Sequence, residues 1–362
     1  MSDTVSEVSK VRELREPENL DAGTGGLNDA IELSGVLELQ LENGNTFLVE
    51  KTDPKASMWK EFVDWQQQAQ LPVYVEVETH SRLVREIFPT FKRLPDHVNR
   101  QPVDGRLRVI FRASPAIFFL NPALPKFSEM WARLDRAAGN KEEVLVTHHP
   151  LTLEMIDVRD APEEEAPEPS PPPDAPALHA APALVQTEVT LERAIEIFNA
   201  LALADIPFFH VQDCCTARAQ KMCRLMLEDF DVQALKIWNY GNGFASDKAT
   251  LCVKTSSDPS GKVCWRYHVA PILNVVDGTT KTLVIDPSMF DGPVAISTWL
   301  LAQNDSNSTQ EFTDANNFEN KPNSPADLFD PGPAAIDSKL RGHTGQSIVI
   351  KNLNSLVFEP PA

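Results

Sequence analysis

The chain of 362 residues is longer than one hydrophobic core usually serves, so two domains are expected. Its formal charge of −19 at pH 7 would repel phosphate backbones, which proteins grip through clustered Lys and Arg, so nucleic acid is not an expected partner. With 42% apolar residues but no uninterrupted apolar run long enough to cross a bilayer, no membrane span is expected either.

Residues 1–33 are largely polar and acidic, with neither a basic start nor an apolar stretch. They predict a disordered N-terminus without a cleavable export signal, hence a cytoplasmic protein or one exported without a classical signal peptide. From 34 to 158 the pattern is mainly β. Leu37, Leu39 and Leu41 alternate with polar residues up to an Asn43-Gly44 turn, Val73, Val75 and Val77 alternate likewise, and 106–112 and 116–120 read as further strands. Met58, Phe62 and Trp65 recur at helical spacing. A small β-rich α+β domain is expected, with no assembly of nucleophile, base or metal ligands. The adjacent His148 and His149 fit a surface loop better than a metal site.

Residues 159–187 hold eight prolines among acids and alanines, a composition that favours extended polyproline conformation and marks a semi-rigid, protease-accessible linker. The second expected domain spans 188–362. Thr190 is positioned to cap a helix whose apolar stripe is Leu191, Ala194, Ile195, Phe198, Leu201 and Ala202. A second helix, from Cys215 to Phe230, carries Ala219, Met222, Cys223, Met226, Leu227 and Phe230 on one face, with Asp213 as its expected cap. After a Gly- and Ser-containing stretch over 241–262 come a strand over 263–276, an Asp277-Gly278 turn and a strand over 282–286. From 302 onward, Asn, Pro and Asp predict mostly loop, with a strand at 347–350.

The five cysteines, at 214, 215, 223, 252 and 264, lack the paired CxxC spacing of a structural zinc site, so no metal is expected. The attacking species of a cysteine is its thiolate, which a helix N-terminus favours, and free amides there can receive an oxyanion. Cys215 stands at such a position. Taken alone, a cysteine at a helix start is more often a small buried residue. What singles it out is the hairpin that follows, with His268 on one strand and Asp286 on the other. A two- or three-residue loop sets Asp286 opposite position 269 or 268, within reach of the imidazole when both side chains share a face. A shared face needs the longer loop or a bulge, and Pro271, which cannot donate to a ladder, predicts an irregularity there.

Three stretches now occur in order: Asp213-Cys214-Cys215-Thr216-Ala217-Arg218-Ala219-Gln220-Lys221-Met222, Trp265-Arg266-Tyr267-His268-Val269-Ala270, and Ile285-Asp286-Pro287-Ser288-Met289-Phe290 with Gly292-Pro293-Val294 and Trp299. Together they resemble the bacterial protein-glutaminase family over about 190–330. The resemblance implies a papain- or transglutaminase-like C-terminal domain, in which a helix carrying the cysteine packs on an antiparallel sheet. It also implies hydrolytic deamidation of glutamine side chains in proteins or peptides through a thioester. By position it makes Cys215 the nucleophile, His268 the base and acid, and Asp286 the orienting carboxylate. It sets Cys214, Trp265, Tyr267 and Ser288 near the substrate or oxyanion and asks for no cofactor. It also offers Cys252 and Cys264 as a disulfide pair. The family has glycine where Cys214 stands, and a tyrosine and a histidine where Thr216 and Gln220 stand.

The expected partners are proteins or peptides with accessible glutamine. The N-terminal domain is expected either to inhibit the catalytic domain in cis until the linker is cut or to direct it to a target. The same three residues would also serve a cysteine protease or transglutaminase-type acyl transfer, and a catalytically inactive protein-binding homologue is a further reading.

Overall fold

The computed structural model describes residues 4–17, 35–162, 186–209, 212–256, 258, 260–320, 322 and 332–357. It is a mixed α/β protein with antiparallel sheets. The N-terminal half contributes β1 (Thr4–Arg15), β2 (Val36–Leu41), β3 (Thr46–Glu50), α1 (Ala56–Ala69), β4 (Pro72–Glu78) and β5 (Val84–Arg93). It continues with β6 (Pro95–Val103), β7 (Arg106–Phe111), β8 (Phe118–Leu120), α2 (Phe127–Asn140), β9 (Val144–His148) and β10 (Met155–Asp160). Seven of the strands form one sheet in the order β10-β9-β5-β4-β1-β2-β3, and β6-β7-β8 form a second. The expected hairpin is present, with Leu39 and Leu41 buried against Phe47 and Val49.

β1 corrects the expectation of disorder over 1–33. Val11 is its one fully buried apolar residue, so local composition gives little sign of a strand. Its backbone nevertheless closes the gap between β4, through Val5↔Val77 and Val8↔Tyr74, and β2, through Val11↔Leu41, so long-range pairing decides its state. The rest of that segment, and the linker over 163–185, lie outside the described residues. His148 is likewise no surface residue. It is 1% exposed, with Phe91 stacked at 5.3 Å and Phe118 edge-on at 4.9 Å.

The second half contributes β11 (Glu188–Thr190), α3 (Leu191–Leu203), α4 (Cys215–Phe230), β12 (Leu235–Tyr240), β13 (Leu251–Lys254), β14 (Lys262–Trp265), β15 (Tyr267–Asp277) and β16 (Thr279–Val284). β17 (Val294–Ala295), α5 (Ile296–Ala302), β18 (Thr309–Asp314) and α6 (Pro333–Val357) complete it. The sheet order is β17-β16-β15-β12-β18, with β11 running parallel beside the end of β15. Thr190 caps α3, its hydroxyl accepting from the Arg193 amide at 3.2 Å. The buried line of α3 is Ala194, Ile197, Phe198 and Leu201, because these meet Met222 and Met226 of α4 and Leu273 and Val275 of β15. Ile195 and, on α4, Leu227 instead face outward. Cys252 and Cys264 sit opposite each other on β13 and β14 and form a disulfide. Among the described residues, no helix is long and apolar enough to cross a membrane.

The largest departure from the sequence reading is α6, a helix of 25 residues where loop and a strand at 347–350 were expected. Gly342, Gly345 and the β-branched pair Ile348–Val349 all argue locally against a helix. Packing overrides them. Val349 is fully buried in the same core as Trp59, Phe62, Val73 and Val75, so the helix is an element of the N-terminal core although it follows the elements of the second half in sequence.

Candidate active site

Asp286 lies two residues beyond the end of β16. Val284 faces Ile272, so the register carried two residues further sets Asp286 opposite Ala270. His268 is then its diagonal neighbour on the same face. This differs from both registers expected from the turn length, because the reversal centres on Gly278 alone, at φ 68°, with Asp277 paired to Thr279. The β12 ladder runs past Pro271 without a register shift, while the β16 ladder ends at Ile272, next to Pro271, whose carbonyl accepts from the Ile285 amide at 2.9 Å.

His268 Nε2 meets Asp286 Oδ2 at 2.8 Å, and both residues are buried. The carboxylate is fixed from two further sides. The Trp299 indole N–H donates to Oδ2 at 2.9 Å, and Ser288 donates to Oδ1 through its hydroxyl at 2.5 Å and its amide at 3.2 Å. Burial raises the Asp286 carboxyl, but the charge and hydrogen bond of His268, with those of Ser288 and Trp299, outweigh it and leave it lowered to about 2. The imidazole itself is held flat between Trp265, 4.6 Å away at 12°, and Trp299, 5.5 Å away at 26°. Its Nδ1 is buried and carries no hydrogen bond.

Cys215 opens α4, which packs on β15, so the thiol lies in one cluster with Tyr267 and Val269, the residues flanking His268, and with Trp238 and Tyr240. No side chain caps the helix, which leaves the amides of its first turn available to an oxygen anion. Asp213 is not the cap. Its Oδ1 accepts from the Cys214 amide at 2.6 Å and from Ser114 Oγ at 3.0 Å, and its Oδ2 sits 2.7 Å from the Arg93 guanidinium, close as an ion pair but out of hydrogen-bond alignment. Burial raises the Asp213 carboxyl, yet the charges of Arg93, His343 and Lys339 hold it well below the usual carboxylate range.

Burial pushes the Cys215 thiol up to about 12 against the opposing charge of Arg218 and the Val269 backbone, so in this conformation it is a protonated thiol. It is also covered. The β7–β8 connection crosses the site: Thr216 Oγ1 donates to the Ala113 carbonyl at 3.1 Å, and the Arg266 amide donates to the Pro115 carbonyl at 3.0 Å. Thr216 follows Cys215 and Arg266 lies two residues before His268, so this segment reaches from the Cys215 side to the His268 side. Flanking contacts fasten it. Arg112 pairs with Glu319, and Arg108 Nη1 donates to the Asp247 carbonyl at 2.7 Å. The Asp247 carboxylate meets His97 at 2.7 Å and Arg266 at 3.2 Å.

The remaining expected site residues fall in supporting positions. Trp265 stacks on the imidazole, Ser288 holds the carboxylate, and Tyr267 packs against Cys215. Cys214 faces away from Cys215, into a cluster with Ala217, Phe318, Ile336 and Leu340, and its amide is spent on Asp213. Its φ of 74° is left-handed, the conformation for which glycine is suited. Sequence reasoning gave Trp299 no role and missed Arg93, Ala113, Pro115 and His343, which reach the site only through tertiary contacts. Among the described residues, no group of three or more His, Cys, Asp or Glu is arranged to hold a metal ion.

A family model described as Glutaminase matches residues 194–303, the segment from α3 to the end of α5. Among solved structures, the chain is similar to pro-protein-glutaminase, at 21% identity over 65% of this chain and 84% of that one, with a TM-score of 0.42. The A47Q2 mutant of that protein gives 19% identity over 65% and 85%, with a TM-score of 0.43. The NMR structure of protein-glutaminase from Chryseobacterium proteolyticum gives 24% over 41% and 83%, with a TM-score of 0.34. No curated protein matches. Residues 194–303, the segment that matches the glutaminase family, contain Cys215, His268 and Asp286.

Proposed function

We propose that this chain hydrolyses glutamine carboxamides in proteins through Cys215, His268 and Asp286, on a papain-like pairing of helix and sheet. Deamidation of protein glutamine follows from the family of residues 194–303; the catalytic roles are our reading. His268 Nδ1 takes the Cys215 proton, and the thiolate attacks the carboxamide carbon. The oxyanion is received by the first-turn amides of α4. His268 returns the proton to the departing nitrogen, the C–N bond breaks and ammonia leaves a thioester. Water, deprotonated by His268, then hydrolyses the thioester to glutamate and frees the thiol. Asp286 stays ionised throughout and holds Nε2–H, which fixes the tautomer that leaves Nδ1 free to take a proton.

The observation that carries this reading is the asymmetry of the imidazole. Nε2 is bonded to a carboxylate locked by Trp299 and Ser288, while Nδ1 is buried without a partner on the strand that packs beneath Cys215. The covering segment supports the second part of the proposal, that the N-terminal domain inhibits in cis. The disulfide between Cys252 and Cys264 favours an oxidising compartment, and so export over cytoplasmic residence.

The test is ammonia release from a blocked glutaminyl dipeptide and from casein, by wild type and Cys215→Ala, each before and after the N-terminal domain is removed from the site. The wild type should gain activity on removal, and the variant should lose it by about a thousand-fold or more. Activity retained in Cys215→Ala would sink the assignment. Cross-linked or cleaved casein, in place of a rise of about one dalton per glutamine, would move the chain to acyl transfer or proteolysis.

A further inference from the structure

α6 touches both halves of the molecule. Its first turns pack mainly on the catalytic half: Ile336 and Leu340 pack with Cys214, Ala217 and Phe318, and Asp337 pairs with Lys221 of α4 at 2.9 Å, while Lys339 Nζ reaches across to the Ala113 carbonyl of the N-terminal half at 3.3 Å. The later turns enter the N-terminal core. Val349 is fully buried there, with Ile348 and Leu353 against it. The two glycines make that seat. A Cβ at Gly345 would lie 3.2 Å from Trp65 and 3.3 Å from Phe62, and one at Gly342 would lie 3.3 Å from Phe91. Polar contacts set the register, Trp65 Nε1 donating to the Arg341 carbonyl at 3.0 Å and Asn352 Nδ2 to Glu61 at 3.3 Å. Phe91 stacks on His343 at 5.2 Å.

We propose that the surface formed by α1 and β5 is a docking groove for residues 342–353 of the same chain, and that it attaches the N-terminal domain to the catalytic domain independently of the 159–187 linker. Cutting the linker then leaves the N-terminal piece seated, because its core is incomplete without α6 and α6 remains covalently part of the catalytic piece. Freeing the site takes a second event, either a cut in the segment before α6 or the unseating of the helix. A tether of this kind keeps the two halves at a local concentration on the order of millimolar, about a thousand-fold above a micromolar protein solution. The proposal rests on the reading that the N-terminal domain inhibits, and it adds what holds the inhibitor in place.

The experiment uses the full chain with a specific-protease site placed within 170–176, and a second version with another site within 324–330. Size exclusion at low micromolar protein reads association, and ammonia release is followed in parallel. The singly cut chain is expected to elute as one particle and the doubly cut chain to release the catalytic piece. Val349→Asp is expected to part the pieces after the single cut. Separation of the wild-type pieces after one cut overturns the proposal, as does unchanged elution after two. The double cut needs no core substitution, so it decides the matter even where Val349→Asp does not fold. The ammonia readout judges the other readings separately. A singly cut particle that stays whole yet becomes fully active removes inhibition in cis while docking stands, and a freed catalytic piece that releases no ammonia removes the deamidase reading.

Discussion

The two sides of the candidate site are supported in opposite ways. His268 and Asp286 are held by Trp265, Ser288 and Trp299, all within 35 residues of one another and all in the catalytic half. The Cys215 side depends on distant residues: Asp213 is bound by Ser114 and Arg93, Thr216 by Ala113, and Cys214 packs on Ile336 and Leu340. The His268 side therefore takes its direct support from its own half, with Pro115 and His97 reaching it through Arg266 and Asp247, whereas the Cys215 side is set by contacts with the N-terminal half and α6. Inhibition in cis, as proposed, would act through this division, because control exerted at the thiol leaves the geometry of imidazole and carboxylate largely undisturbed.

Asp286→Asn should break the base side most severely. An amide carries no charge to stabilise a developing imidazolium and can turn an N–H toward Nε2, which favours the wrong tautomer, so kcat in the freed enzyme should fall by about a thousand-fold or more with the fold intact. A loss below about ten-fold would mean that Asp286 does not orient the imidazole. On the nucleophile side, Arg93→Met strands the buried Asp213 carboxylate beside the thiol. The expected destabilisation is about 3–5 kcal/mol by urea unfolding, and adding Asp213→Asn should return part of it. Equal effects from single and double variants would show that the pair is not coupled. Trp299 and Asp286 should keep their hydrogen bond in both variants, which tests the independence of the two sides directly.

This division also explains what the sequence made legible. The base side could be read because its residues are near neighbours on one hairpin, and an error in the loop length still left His268 and Asp286 on adjoining strands. Ala219, Met222, Cys223 and Met226 were readable because helical periodicity is a local property. β1 and α6 were not, because neither carries its own pattern. The alternation of β1 is diluted by Ser, Glu and Lys, and the helix tendency of α6 is undercut by Gly342, Gly345 and β-branched residues, so each acquires its state from partners far away in sequence. The same reason hides the covering segment, since nothing in Ala113-Ser114-Pro115 refers to Thr216 or Arg266.

The pH response offers a milder test of the seated side. Burial, with the charge of Arg93, lowers His148 from 6.5 to about 3, so the folded protein keeps it neutral while the unfolded chain takes up a proton below about 6.5. Stability is therefore full above that pH and declines as pH falls toward 3, by up to about 1.4 kcal/mol per unit from this group. Asp286 has the usual carboxylate sign and matters only lower, its contribution being present above about 4 and lost as pH falls toward 2. Between pH 6.5 and 4 the two effects separate. His148→Phe keeps the stacking on Phe91 and should flatten the urea midpoint over that interval; an unchanged slope would assign the acid sensitivity elsewhere.

The smallest expected effect concerns the residue beside the nucleophile. Cys214 holds a left-handed backbone that costs an L-residue roughly 1–2 kcal/mol, and glycine removes that cost. The same substitution withdraws a buried side chain from Ala217, Phe318, Ile336 and Leu340, a loss of about 1 kcal/mol, and adds the conformational freedom of glycine to the unfolded state. The opposing contributions nearly cancel, so Cys214→Gly should leave stability within about 1 kcal/mol of wild type. Because the Cys214 side chain points away from Cys215 toward α6, kcat of the freed enzyme should also be nearly unchanged. A large gain in kcat would show instead that strain at this position restrains the thiol, and the nucleophile side would then be controlled from within α4 as well as from the N-terminal domain.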